Sequence, residues 1–359
     1  MTKRASGVGR PARLLLYSMY DLDGPDRGPA VRIEQMRMAL ASRCQLSVVS
    51  GGRAGRVPRL LRWLARGGLG SIDGIYVEAA SSFATPVDLA FLALARLRGL
   101  PVGVYFRDAY QLFRDEYPVT RGRERLLDWL WRRSHAPLQW VASQRYAPSA
   151  GLAIALGLES PVLLPPGTDP DLPFLGASPG QLVGYVGSLS RSDGVDLLVE
   201  AVTQVRQSHP GCGLRIVSPA EPEAALLRLP WVTWVDAGRA GLGAALGDVR
   251  VCVIPRRITP YTDLAVPLKL MDFLGFGKPI VATDCAETAA LVGPGDAAIL
   301  VRDDPRELAA AIVRVIADDA LATRLAANAR ALAEAPATTW GARADTVLET
   351  LFGPRVVSR

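Results

Sequence analysis

The sequence predicts an α/β protein of two domains, each built on a parallel sheet with helices on both sides. Three observations predict it. Apolar, β-rich runs alternate with helical patterns from residue 13 to about 164, a stretch rich in Pro and Gly spans 165–180, and the alternation starts again at Leu182. A chain of 359 residues with 49% hydrophobic content can bury two such cores. The expected divisions are a disordered basic tail over 1–12, an N-terminal domain over 13–165, a linker over 166–180, a second domain over 181–337 and a C-terminal helix within 338–359.

In the first half, strands are expected at 13–19, 45–50, Gly74–Glu78, 102–106, 139–142 and 161–164, and helices at 29–42, 56–66, 86–98, 122–134 and 148–156. The second half opens with a strand at Leu182–Val186, a Gly-bounded turn over 187–194, and a helix over 195–207 whose Val195, Leu198, Val199 and Val202 share a face. Further strands follow at 214–218, Val232–Val235 and Val251–Ile254. Pro267 suits the first position of the next helix because it lacks the N–H orphaned there, and Gly275, Gly277 and Pro279 close that helix before a strand at 280–282. Helices over 304–333 and 338–352 end the chain, with Thr338 or Thr339 as a cap before Trp340.

Composition narrows the function classes. Two histidines and four scattered cysteines, Cys44, Cys212, Cys252 and Cys285, make no CxxC pair and no His/Cys cluster, so neither a zinc site nor a disulfide framework is expected, and a reducing cytoplasm fits. The apolar run after the basic N-terminus is too short for a signal peptide, and Asp88, Arg96 and Arg98 interrupt the longest apolar stretch. Charge divides unevenly: residues 1–165 carry net +10 and 166–359 net −4. A basic half suits an anionic lipid surface or a phosphorylated acceptor, and no nucleic-acid module is legible.

Ligands of open α/β sheets sit beyond the carboxyl ends of strands, which directs attention to the loops at 20–28, 107–118, 187–194 and 256–267. In the first, Gly28 allows close backbone approach at a helix start, and Arg27 or Arg32 is placed to hold phosphate; the alternative is a plain strand-to-helix loop. Without GxGxxG, a bound dinucleotide is not expected. In the second, Arg107-Asp108-Ala109-Tyr110 follows a strand directly, so Asp108 can orient an acceptor hydroxyl or act as a base, or else close a structural pair with Arg107. Arg191 lies in the turn that opens the second domain, where a fixed guanidinium can neutralise a diphosphate; Asp193 beside it weakens that field. Lys269 and Asp272 share a face of the helix after Pro267: the lysine beside a helix N-terminus makes a phosphate seat, and the aspartate can accept from sugar hydroxyls, whereas a surface Lys–Asp pair is the bland alternative. The segment 53–66 sets Val57, Leu60, Leu61 and Leu64 on one side and Arg56, Arg59, Arg62, Arg66 and Trp63 elsewhere, and 121–140 adds Trp129, Trp131, Arg132, Arg133 and Trp140. Such helices either lie on anionic membranes or cover their own sheet with a solvated basic face.

Tyr185-Val186-Gly187-Ser188-Leu189, Gly194-Val195-Asp196-Leu197-Leu198, Pro267-Leu268-Lys269-Leu270-Met271-Asp272 and Gly277-Lys278-Pro279-Ile280-Val281-Ala282-Thr283 resemble the donor-domain signatures of retaining, nucleotide-sugar-dependent glycosyltransferases of family four. Arg107-Asp108-Ala109-Tyr110 and Pro165-Pro166-Gly167-Thr168-Asp169 extend the resemblance to the acceptor domain and the inter-domain turn. The resemblance implies the GT-B fold, two Rossmann-like domains facing across a cleft, with the C-terminal helix crossing back to the first. It implies donor contacts from Gly187, Ser188, Asp263, Pro267, Leu268 and Asp272, catalytic roles for Arg191, Lys269 and Asp108, and acceptor contacts from Gly28, Arg32, Arg107 and Tyr110. Asp272 falls on the second acid of a Glu-x7-Glu pattern that holds the donor ribose; the first falls on Leu264, with Asp263 one place off as its substitute. Ser188 and Asp193 stand where the family usually has Arg and Lys for the diphosphate.

The function so implied is transfer of a sugar from a UDP- or GDP-sugar, with retention, to an envelope glycolipid or polysaccharide precursor. The enzyme would be cytoplasmic and peripheral on the inner face of the membrane. It would need no cofactor and no metal site, with magnesium compatible. Two alternatives are a degenerate relative acting as a binding or scaffolding protein, motivated by Ser188, Asp193 and Leu264, and a nucleotide-sugar epimerase.

Overall fold

Leu14, Leu15 and Leu16, the middle of the first strand, are all fully buried, which requires helices over both faces of its sheet. The computed structural model describes residues 10–22 and 28–354. In chain order they form β1 (Arg13–Ser18), α1 (Gly28–Ala41), β2 (Gln45–Val49), α2 (Arg53–Ala65), β3 (Gly74–Glu78), α3 (Pro86–Leu97), β4 (Val102–Tyr105), α4 (Gly122–Val141), β5 (Gln144–Ala147), α5 (Ala150–Ala155) and β6 (Val162–Leu163). There follow β7 (Leu182–Val186), α6 (Val195–Ser208), β8 (Gly213–Val217), α7 (Ala224–Leu227), β9 (Val232–Val235), α8 (Leu242–Leu246), β10 (Val251–Ile254), α9 (Leu268–Gly275), β11 (Ile280–Thr283), α10 (Ala286–Val292), β12 (Ile299–Val301), α11 (Pro305–Ala317), α12 (Asp319–Glu334) and α13 (Trp340–Phe352). The basic tail expected over 1–12 lies outside the described residues except for 10–12, as do Arg27 and residues 355–359.

The chain divides into two units, one running to Pro165 and including α13, the other spanning Pro166–Thr339. In the first, a parallel sheet has the order β2-β1-β3-β4-β5-β6, which reverses direction between β1 and β3. Residues Trp340, Ala344, Val347, Leu348 and Leu351 of α13 are buried in this unit, beside Leu14, Ile33 and Leu40. In the second, the order is β12-β11-β10-β7-β8-β9, again all parallel, and the reversal falls between β7 and β10. Both are doubly wound, Rossmann-like sheets. At each reversal the connections leave to opposite faces, so the loops after those strands splay apart and open a crevice.

Several elements differ from the sequence reading. The helix expected to end at 134 continues to Val141, because Trp131, Ser134, Leu138 and Val141 prolong one buried face through Pro137; the strand expected at 139–142 forms instead at β5. The last long helix is two helices broken at Asp318, whose carboxylate caps Leu321 N–H of the second at 2.9 Å. Pro267 is the N-cap of α9, with extended ψ, one place earlier than expected. The sequence reading placed no elements at α10 and β12. Residues 166–180 pack on the second unit: Thr168 Oγ1 donates to Ala333 O at 2.7 Å, and Arg330 donates to the carbonyls of Pro170, Leu172 and Gly275 at 2.7 Å each.

The expected basic face of α2 is also revised. Arg56 is fully buried and pairs with Asp88 at 2.7 Å, Asp88 being the N3 member of the Thr85 capping box on α3, while Leu61 is exposed. Tyr17 donates its hydroxyl to the same carboxylate. Among the described residues, no helix is long and apolar enough to cross a membrane.

Candidate active site

The crevice of the second sheet is walled by the turns after β7 and β10. Two glycines set its shape. Gly194 has φ +72°, and a Cβ there would stand 1.7 Å from Pro255 O, so only glycine lets the β7 turn close on the strand end of β10. Gly187 has φ +129°, and a Cβ there would stand 2.7 Å from Lys269 Nζ. The ammonium of Lys269, from the first turn of α9, thus lies directly over the glycine backbone.

Lys269 Nζ donates to Tyr185 Oη at 3.1 Å and to Asp193 Oδ1 at 3.3 Å, and sits 4.4 Å from the centre of the Tyr185 ring. Asp193 also accepts from the hydroxyls of Ser188 and Ser190, and Tyr185 donates to Ser188 O. Burial pushes Lys269 below the ordinary lysine range, against the pull of Asp193, and Arg256 pushes the same way as burial. Burial would raise the Asp193 carboxyl, but Lys269 and the two serines outweigh it and hold it below its ordinary value. The site is therefore a shielded cation with a fixed counter-anion. Arg191 stands exposed in the short helical turn that precedes Gly194.

Asp272 points elsewhere. Its Oδ1 accepts from Arg239 at 2.6 Å, and Arg239 also faces Asp169 at 3.7 Å, so one guanidinium lies between two carboxylates. Burial raises Asp272 to about 6, with Arg239 opposing. The structure thus parts Lys269 from Asp272: the first meets the β7 turn, the second the segment after β9. Asp263, expected as a donor acid, accepts through Oδ1 from Ala286 N–H at 3.0 Å and so caps the start of α10, because the short turn Thr262–Leu264 aims it at that helix start. Leu268 is half-buried at the start of α9 and Pro267 buried before it.

In the first unit, Arg107 and Asp108 follow β4, as expected. Asp108 accepts from Ser81 Oγ, and Ser81 N–H donates to Tyr20 Oη at 2.8 Å, tying the loops after β1, β3 and β4 together. Arg107 Nη2 donates to Glu78 Oε2 at 3.1 Å. A pocket here is lined by Phe83, Phe106, Arg107, Asp108, Trp131 and His135. Burial lowers His135 below its ordinary value, and its ring stacks on Trp131 at 4.9 Å. Tyr110 packs edge-on to Tyr117 at 4.8 Å, and Gly28 begins α1 on the surface. Arg32, expected at a loop rim, is buried: it pairs with Glu78 and lies 3.4 Å over the Tyr105 ring, because its place on α1 faces the sheet.

Tyr185, Arg239, Arg256 and Glu78 were not singled out from sequence. A charged residue closing the apolar strand Gly74–Glu78, and an arginine two residues after Val251–Ile254 as Arg107 stands two residues after β4, were the available signals.

Residues 180–318 match the family model described as Glycosyl transferases group 1. A Bacillus subtilis (strain 168) protein named for a glycosyltransferase step of teichuronic acid biosynthesis is 27% identical over 153 residues. That match covers 41% of this chain and 38% of that protein, so the chain matches well under half of that relative's length. The structure of WaaG, a glycosyltransferase involved in lipopolysaccharide biosynthesis, superposes with a TM-score of 0.68 at 15% identity, covering 94% of this chain and 100% of that one. HepE from Anabaena, in complex with UDP, superposes with a TM-score of 0.66 at 18% identity over 94% of this chain and 99% of that one, and the same protein has been solved with UDP-glucose. The chain has the two-sheet GT-B fold of those structures, and the match to the group 1 glycosyl transferase model falls within its second unit.

Proposed function

We propose that the chain transfers a sugar from a nucleoside-diphosphate sugar to a glycan or lipid-linked acceptor of envelope polysaccharide synthesis. The observation that carries the reading is Lys269 Nζ seated over the bare backbone of Gly187 at the reversal point of the second sheet. A diphosphate placed there meets an ammonium, the N-terminal turn of α9 and Arg256 nearby. Charge grows on the diphosphate as the anomeric C–O bond breaks, so groups fixed at its oxygens favour the transition state by several kcal/mol in typical sites (~3–4 for one donor). Arg191 reaches the same phosphate from the turn's exposed side. Leaving-group stabilisation of this kind requires no metal, and magnesium is compatible with it. Attack on the face the leaving group quits gives retention, and Asp108 positions the acceptor hydroxyl. UDP is the first donor to test, because HepE binds UDP and UDP-glucose; acceptors of teichuronic acid or lipopolysaccharide type follow from the relatives' names.

Peripheral attachment to an anionic membrane face is part of the same proposal. Along α4, Leu126, Trp129 and Trp140 are exposed, Trp140 at 73%, with Arg123, Arg125, Arg132 and Arg133 exposed around them. Tryptophans amid arginines on one stripe match the interface of a bilayer carrying anionic lipid. Co-sedimentation with phosphatidylglycerol vesicles should fall with salt and with Trp129→Ala/Trp140→Ala; binding unaffected by either would remove this part.

The test of the whole is a panel of UDP- and GDP-sugars read by thermal shift, then product analysis by NMR for the anomeric configuration. At about 100 times Kd a donor should stabilise the chain by about 2.7 kcal/mol, and Lys269→Ala should abolish the shift. Neither binding nor turnover across the panel defeats the proposal. A second reading, a nucleotide-binding protein without turnover, is favoured by Asp193 occupying Lys269 and Asp263 capping α10; tight UDP binding with no product from any acceptor would select it.

A further inference from the structure

At the carboxyl end of the first sheet, Glu78 is enclosed by arginines. Arg32 and Arg107 each pair with it, Tyr76 donates its hydroxyl to it at 2.8 Å, and Glu78 has no exposed surface. Arg32 is 2% exposed, and its Nε and Nη2 have no hydrogen-bond acceptor; Arg107 Nε is likewise buried without one. Arg343 of α13 lies close enough that its charge opposes that of Arg32, adding to a burial effect that already lowers Arg343. Among the described residues, Arg32 and Arg107 thus share the buried carboxylate of Glu78, with Asp108 at the rim. Folded proteins rarely leave charged donors buried and unpaired, and a bound ion or a functional role is among the reasons where they do. Arg107 also lines the pocket that Phe106, Asp108 and Trp131 enclose, so its unpaired buried donor lies at the wall of that opening. Asp108 there sits beside Arg107, where it can meet a sugar hydroxyl next to the charge.

We propose that the first unit recognises an acceptor through an anionic oxygen group, carboxylate or phosphate, seated against Arg107 and backed by Arg32. The inference rests on the glycosyltransferase reading for calling the ligand an acceptor, and names its chemical class. A planar guanidinium that already holds Glu78 on one side keeps its remaining donors oriented, so a carboxylate or phosphate gains charge-assisted bonds without reordering the arginine. Neutral sugars lack the complement.

The full chain, saturated with UDP so that the donor site is filled, is titrated calorimetrically with sodium glucuronate, inorganic phosphate and glucose. Glucuronate or phosphate should bind at least about tenfold more tightly than glucose; glucuronate ahead of phosphate assigns a sugar carboxylate, the reverse a phosphate. Arg107→Gln should weaken the anion about tenfold and Arg107→Lys less, with the melting curve as the folding control. Asp108→Asn removes a like charge and should tighten the anion about threefold, an effect that a purely structural cluster would not produce and that stands even if Arg107→Gln fails to fold. Equal affinity for glucose and both anions, or Asp108→Asn leaving anion affinity unchanged or weaker, overturns the inference. If the wild-type chain does not bind UDP, the donor reading fails separately, and the anion titration is run without it.

Discussion

Asp193 holds the ammonium that a diphosphate would need, so its neutralisation is the sharpest probe of the proposed donor site. At 3.3 Å, and at an effective dielectric near 20, the Lys269–Asp193 attraction is about 5 kcal/mol. Both side chains are mostly shielded, at 11% and 18% exposure, so much of that attraction persists. A bound diphosphate lies farther from Asp193 than Lys269 does and keeps some solvent, and if about a third of the interaction remains as repulsion, removing the charge gains about 1.5 kcal/mol, or roughly tenfold. Asp193→Asn retains an oxygen to accept from Ser188 and Ser190, so the turn should keep its shape. Calorimetry of UDP with both proteins, at low and moderate salt, should show about tenfold tighter binding by the variant, with the gain shrinking as salt rises. Unchanged affinity would mean that the diphosphate is not seated on Lys269. Tenfold weaker binding would mean that Asp193 shapes the turn or touches the ligand and does not compete with it for Lys269.

Asp272, raised to about 6 against an ordinary 3.8, takes up its proton more readily folded than unfolded, so its contribution to stability is greatest below pH 4 and is lost as pH rises through 6. Asp272→Asn should therefore raise the melting temperature at pH 7, by at most about 3 kcal/mol of stability, and have little effect at pH 4; equal effects at both would refute the linkage. Arg56→Met leaves Asp88 buried without its counter-charge and should cost about 3–5 kcal/mol in urea denaturation, of which Arg56→Met/Asp88→Asn recovers a part; a cost under about 1 kcal/mol would mean that the pair behaves as a surface bridge. Gly194→Ala forces a Cβ onto Pro255 O at positive φ, so UDP binding should be lost while far-UV circular dichroism is retained; normal UDP affinity would show that the turn does not form the donor site.

Periodicity was enough for most of the architecture. Runs such as Leu14–Leu16 and Val251–Ile254 are apolar on both faces, a local property that suits a covered parallel strand, whereas the Pro/Gly-rich segment after Pro165 belongs to the second unit. Where local patterns were ambiguous the reading failed: residues 139–142 suit a strand by composition, but they extend a helix because their apolar positions continue a buried face begun at Trp131. The site divides in the same way. Lys269 at a helix start and Gly187 and Gly194 around a turn were legible, because backbone constraints are written in residue type. Which carboxylate meets which cation was not, since partners far apart in sequence are chosen by packing: Asp193 for Lys269, Arg239 for Asp272, the α10 terminus for Asp263, Glu78 for Arg32. Sequence by itself determined two doubly wound units and the glycine-bounded turns at the strand ends. Only the tertiary structure decided where each charge is spent, because a side chain's electrostatic partner depends on the three-dimensional neighbours that folding supplies.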